Sequence, residues 1–178
     1  APARTVPAMR LPDGQIVTDS LAIAETLHER HPDAGFWPKD ADARAFARSI
    51  TAEMHSGFTA LRGTFPMNLR HCFADVPVPD DVATDLARIE LIWAEAQKLG
   101  TGNGPWLFGD YSVADVFFAP VTTRMITYGL PASTEAKAYL SATVSDPVFN
   151  AWRDRGLQDA PQSAYDMPWA QIPWPGAL

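Results

Sequence analysis

The sequence predicts an α+β protein: a β-hairpin and one helix at the start, followed by an all-helical bundle. Three observations carry this reading. Two short extended runs flank Pro12-Asp13-Gly14, a strong turn signal in which Gly supplies a positive φ. Later in the chain, apolar residues recur at helical spacing, as in Ala43, Ala47, Ile50, Met54, Phe58 and Leu61. Near residue 112, a helix start with two local locks opens a stretch that is apolar on nearly every side. A helix of that kind belongs in the middle of a bundle, with other helices around it.

The hairpin comprises Val6-Pro7-Ala8-Met9-Arg10-Leu11 and Gln15-Ile16-Val17-Thr18. A lone hairpin is marginal in water, so something must pair with it. A first helix is predicted over 19–30, capped by Asp19 or Thr18 and stopped by His31-Pro32. Its apolar face is Leu21, Ile23, Ala24 and Leu27. A loop over 33–39 tucks Phe36, Trp37 and Pro38 against the neighbouring helices. A single helix is predicted over 40–62, with the core stripe given above. A second stripe at the same spacing is polar and basic: Arg44, Arg48, Thr51, His55, Thr59 and Arg62.

Residues 65–72 read as a short irregular segment, and Pro77 and Pro79 bound a loop. The third helix is predicted over 80–99, on Val82, Leu86, Ile89, Trp93 and Ala96. A glycine-rich link over 100–105 leads into the central helix. There Ser112 stands three residues before Asp115, a capping box with Asp in place of Glu or Gln. Tyr111 and Val116 hold the two positions of a hydrophobic staple. Pro120 lacks an N–H, so a kink is expected inside this helix. Tyr128-Gly129-Leu130-Pro131 ends it, and two more helices follow over 133–144 and 146–155. Asp146 and Pro147 form a favoured start for the last one. The tail over 159–178, rich in Pro and Trp, reads as an irregular arm on the surface.

Composition narrows the function classes. With 47% hydrophobic and 20% charged residues, the 178-residue chain can build a substantial core. A net charge of −7 argues against a nucleic-acid partner, which wants clustered Lys and Arg. No apolar run is long enough to span a bilayer, so no membrane partner is expected. No signal peptide is visible, and a single cysteine, Cys72, fits a reducing cytoplasm. A lone free Cys is more often a small core residue than a nucleophile. No metal site is expected.

The run Gly109-Asp110-Tyr111-Ser112-Val113-Ala114-Asp115, ahead of its apolar helix, resembles the central helix of the cytosolic glutathione transferases of bacterial type. The order of the other motifs agrees: Val-Pro, strand, Asp-Gly turn, strand, Asp-Ser, helix, then five helices. The resemblance implies a division at 1–32, the second half of a thioredoxin-like glutathione-binding domain, 33–158, an all-helical domain, and 159–178, the tail. The first βαβα of that thioredoxin-like domain has no counterpart among these residues. The Ser, Cys or Tyr that acts on the glutathione thiol is therefore expected in a segment ahead of residue 1, and the catalytic residue is unknown.

The resemblance also implies roles for particular residues. Val6-Pro7 matches a cis-proline position, where the Val6 backbone would pair with the cysteinyl backbone of glutathione. Asp19-Ser20 matches the family's acidic-or-amide-then-Ser pair at a helix start. Free N–H groups and the positive end of the helix dipole suit a carboxylate there. Ser20 would hold the γ-glutamyl carboxylate and Asp19 the neighbouring ammonium. The helix over 40–62 borders the cleft for the second substrate, and Thr51, His55, Arg62, Phe65, Met67 and Arg70 are the candidates for that site. The competing reading makes the basic stripe a solvated face balanced by Glu53.

Three functions follow from the resemblance. The first is a glutathione transferase that adds the thiol to a small electrophile. The second is a non-catalytic interaction module with the same fold. The third is a glutathione-dependent isomerase or thiol reductase. A homodimer is expected in each case.

Overall fold

The computed structural model describes residues 3–176. The hairpin forms as expected. Strand β1 (Ala8–Arg10) pairs antiparallel with β2 (Ile16–Thr18), placing Met9 opposite Val17. Gly14 takes the turn at φ 90°, and its N–H bonds the Leu11 carbonyl at 2.9 Å. Helix α1 (Ser20–Arg30) follows directly, capped by Asp19. A 3₁₀ turn at Pro32–Ala34 leads to α2 (Ala41–Ser56), whose Asp40 cap accepts from the Asp42 and Ala43 N–H groups. Trp37 in this connection is buried.

The helix expected over 40–62 is broken in two. Helix α2 stops at Ser56, and α3 (Thr59–Thr64) starts after Phe58. Gly57 still bonds the Glu53 carbonyl at 2.7 Å but swings into extended backbone. A Cβ on Gly57 would lie 2.6 Å from that carbonyl oxygen. Phe58 then takes φ 53°, in the left-handed region. Tertiary partners secure the break. The Asp85 carboxylate of the next helix accepts from the Leu61 N–H at 2.9 Å. Arg62 donates to the Met54, His55 and Gly57 carbonyls, the orphan acceptors at the end of α2. Phe58 and Leu61 still reach the core, so the apolar stripe holds across the break.

The segment after α3 is partly a strand. Strand β3 (His71–Phe73) pairs antiparallel with β4 (Gln171–Pro173), with Cys72 opposite Ile172. Within its described residues, 159–176, the tail forms a 3₁₀ turn at Ser163–Tyr165 and then β4. An aromatic cluster explains this. Trp169 packs on Phe65 and Phe73, and both of those stack on Tyr128, with centroids 4.6 and 5.4 Å away. Arg153 lies over the Trp174 ring at 5.0 Å.

Helix α4 (Asp80–Leu99) matches its expected range. Helix α5 (Val113–Thr127) is the core of the bundle and packs against α2 and α6 (Thr134–Ser145). Its capping box closes, with the Asp115 carboxylate accepting from the Ser112 N–H at 2.8 Å. The same buried carboxylate accepts from the Leu107 N–H at 3.0 Å and the Ser112 hydroxyl at 3.1 Å. Burial raises the Asp115 pKa, against the opposing pull of these donors. Helix α5 continues through Pro120 without interruption. It ends in a Schellman turn: Gly129, at φ 56°, donates to the Ile126 carbonyl, and Leu130 donates to that of Met125.

The staple positions behave differently from expectation. Tyr111 and Val116 remain 49% and 50% exposed, and Tyr111 packs edge-on against Trp106. Helix α7 (Pro147–Gly156) starts with the Asp146 cap and Pro147, as expected. No described helix is long and apolar enough to cross a membrane.

Candidate functional site

The N-terminus of α1 is built by Asp19. One carboxylate oxygen, Oδ1, accepts from the Leu21 N–H at 2.8 Å and the Ala22 N–H at 3.4 Å. The other, Oδ2, lies 2.9 Å from His55 Nε2 at the end of α2. The Leu21 hydrogen bond is the main reason the Asp19 carboxyl is held below its ordinary range; the Ala22 bond and the His55 ring act the same way, and slight burial opposes them. Asp19 has φ 78° and ψ 133°, a conformation that non-glycine residues seldom adopt.

Ser20, the next residue, opens onto a cavity of about 420 Å³. One wall is Pro7 of the hairpin segment with Ile23, Ala24 and Leu27 of α1. The facing wall is Phe36 with Tyr111, Val116 and Phe117 around the start of α5. The two half-exposed staple residues are thus part of this wall. The cavity is apolar, and the helix N-terminus with its Asp19–Ser20 pair supplies the polar end. Such a combination suits a ligand with a charged head and an apolar partner beside it. The Val6–Pro7 peptide bond is cis, and Val6 is 91% exposed.

The second-substrate candidates are not brought together. His55 joins Asp19, and its ring meets Phe117 edge-on with centroids 6.0 Å apart. Thr51 is fully buried within the bundle. Arg62 closes the end of α2, as described above. Phe65 is fully buried under Tyr128. Met67 and Arg70 line a separate hollow of about 140 Å³ beside Leu157 and Tyr165. Arg70 bonds the Leu157 and Asp159 carbonyls there.

The cations of the basic stripe are engaged by carboxylates or main-chain carbonyls. Arg48 makes a two-point ion pair with Glu25 of α1, at 2.9 and 2.8 Å. Arg44 donates to the Pro38 and Lys39 carbonyls. Glu53 is paired with Arg88 of α4, away from the stripe. The sequence reading passed over Arg124, the one cation in the apolar helix α5. Its Nε donates to the Phe65 carbonyl at 2.8 Å, and burial lowers its pKa, with help from nearby Arg62. A single Arg inside an apolar run was the available signal.

Cys72 lies buried on strand β3, opposite Ile172 of β4 and close to Gly176. Burial pushes its thiol up to about 11, despite a smaller opposing pull from Arg153. A thiol in that state is inert. Among the described residues, no group of three or more His, Cys, Asp or Glu is placed to hold a metal ion.

Comparison with known proteins gives consistent relatives. A family model described as the N-terminal domain of glutathione S-transferase matches residues 1–30. A probable maleylacetoacetate isomerase of Caenorhabditis elegans is 48% identical over 137 residues, covering 74% of this chain. The chain spans 61% of the length of that relative. A glutathione transferase homolog from Burkholderia, solved with bound glutathione, superposes with a TM-score of 0.63 at 24% identity, covering 88% of this chain and 76% of that one. A maleylacetoacetate isomerase from Anaeromyxobacter dehalogenans, also with bound glutathione, superposes with a TM-score of 0.59 at 23% identity, covering 87% and 74%. These two likenesses show a shared fold.

Proposed function

We propose that the chain belongs to the cytosolic glutathione transferase family and serves a glutathione-dependent enzyme acting on a small electrophile. The observation that carries this is that Ser20, next to the Asp19 cap at the N-terminus of α1, lines the apolar cavity. In this reading, the Ser20 N–H and hydroxyl hold the γ-glutamyl carboxylate of glutathione. The helix dipole favours that negative charge. The Asp19 carboxylate meets the ammonium next to it, and the Val6 backbone pairs with the cysteinyl backbone. Glutathione then lies along the rim, and the walls at Tyr111, Val116 and Phe117 shield the electrophile from water.

The first reading of the chemistry is conjugation: the thiolate forms a carbon–sulfur bond with the electrophile, which takes up a proton on addition or expels halide on substitution, and the thioether is released. A second reading is isomerisation, favoured by the worm relative named as a probable maleylacetoacetate isomerase. There the thiolate adds to a conjugated carbon–carbon double bond, rotation follows, and elimination returns glutathione unchanged. The residue that activates the thiol is not assigned. The reading includes a two-fold dimer, which light scattering tests.

One experiment separates the readings. The protein is incubated with glutathione and a panel of unsaturated carbonyl compounds and aryl halides, and products are resolved by mass spectrometry. Addition to an unsaturated carbonyl adds the mass of glutathione, displacement at an aryl halide adds that mass less the hydrogen halide, and isomerisation changes retention without changing mass. No turnover on any compound, with glutathione bound, returns the non-catalytic module.

A further inference from the structure

Four side chains serve as caps for α1, α2, α6 and α7: Asp19, Asp40, Ser133 and Asp146. Three of them cap from ordinary extended backbone, with φ −63°, −64° and −69°. Asp19 alone caps from φ 78°. Capping by itself does not require that conformation. A non-glycine residue keeps it only where surrounding contacts over-determine it. The contact beyond the helix is His55.

Asp19 is an acceptor on both oxygens when ionised, so His55 Nε2 must carry the proton between them. The residue that donates it is held at its backbone and at its ring. Arg62 of α3 binds the His55 backbone carbonyl at 3.2 Å. Phe117 of α5 packs edge-on against the imidazole. Arg48, two turns earlier on α2, is occupied by Glu25 and leaves Asp19 to His55. The break at Gly57–Phe58 is what ends α2 at this point and lets Arg62 fold back over it.

We propose that His55 is a positioning residue for glutathione: it fixes the plane of the Asp19 carboxylate so that Oδ2 meets the γ-glutamyl ammonium. The proposal rests on the reading that Asp19 and Ser20 bind glutathione. It moves His55 from the second-substrate site, where its place on the stripe put it, to the glutathione end. Because His55 also touches Phe117, it joins the polar end of the site to the cavity wall. Without the imidazole, the carboxylate is held at Oδ1 alone and can rock about its last side-chain bond, which displaces Oδ2 and loosens the Oδ1 cap. Recognition of the ammonium then weakens while the carboxylate contact at Ser20 remains.

Titration calorimetry tests this with two ligands, S-methylglutathione and its analogue lacking the γ-glutamyl amino group. The proteins are wild type, D19N, H55A and H55Q, each checked for an unchanged melting curve. H55A is expected to weaken S-methylglutathione about tenfold, as loss of a charge-assisted hydrogen bond does. It is expected to weaken the deaminated analogue less than about twofold, because only the ammonium depends on the fixed carboxylate. H55Q, whose amide N–H can reach the same oxygen, should stay within about threefold of wild type. Equal weakening of both ligands by H55A, or weakening of neither, overturns the proposal while leaving the glutathione reading intact. No binding to wild type, or binding to D19N as tight as to wild type, removes that reading and the proposal together.

Discussion

Asp115 offers the clearest test of what holds the bundle. Its carboxylate is buried and accepts from two backbone N–H groups, Leu107 and Ser112, and from the Ser112 hydroxyl. Asp115→Ala leaves these donors without a partner in a dry interior. Each orphaned donor costs about 1–3 kcal/mol, and relief from burying a charge offsets part of the sum. The net loss works out at about 3–5 kcal/mol, which lowers the melting temperature by roughly 10–15 °C for a domain of this size. Asp115→Asn keeps the shape but turns an NH₂ toward donors, and should cost about 2–3 kcal/mol. Because the folded-state pKa of Asp115 is raised, protonation at this site favours the folded state. The stability so gained is fully present below the ordinary value of 3.8 and is lost as the pH rises through the raised one. The gap between wild type and D115N should therefore be widest in acid and narrow toward neutrality. Urea melts followed by circular dichroism at several pH values measure it. A D115N protein within 0.5 kcal/mol of wild type, the scatter of an ordinary surface change, would refute the reasoning.

Two further predictions concern features absent from local sequence pattern. Gly57→Ala places a Cβ 2.6 Å from the Glu53 carbonyl and should cost about 1–3 kcal/mol in a urea melt; a neutral result would mean the break between α2 and α3 adjusts freely. Cys72 should not react with a thiol reagent in the native protein at pH 8, since its pKa is pushed up to about 11, and should react fully in denaturant; rapid native labelling would contradict its burial.

Local chemistry made much of the fold legible. Asp13-Gly14 sets its own turn, Ser112 and Asp115 lock a helix start within four residues, and Asp146-Pro147 starts α7 as such pairs do. The break at Gly57 was hidden because its stabilisers come from elsewhere: Asp85 on α4 and the fold-back of Arg62. Strands β3 and β4 pair across about a hundred residues, so neither could be read until the Trp169 cluster brought them together. The site divides in the same way. Asp19 and Ser20 stand adjacent in sequence and announce a helix start. The contact of His55 with Asp19 spans 36 positions, and nothing in the spacing of the basic stripe reveals it. The stripe suggests free cations, whereas Glu25 pairs with Arg48 and main-chain carbonyls accept from Arg44 and Arg62.

The central claim is that the rim at Asp19 and Ser20 binds glutathione. Calorimetric titration of glutathione into wild type and D19N tests it most directly. The account predicts saturable one-site binding to wild type and a loss of at least about tenfold in D19N, as removal of a charge-assisted contact requires. Absence of binding to wild type, or equal binding to both proteins, would contradict it.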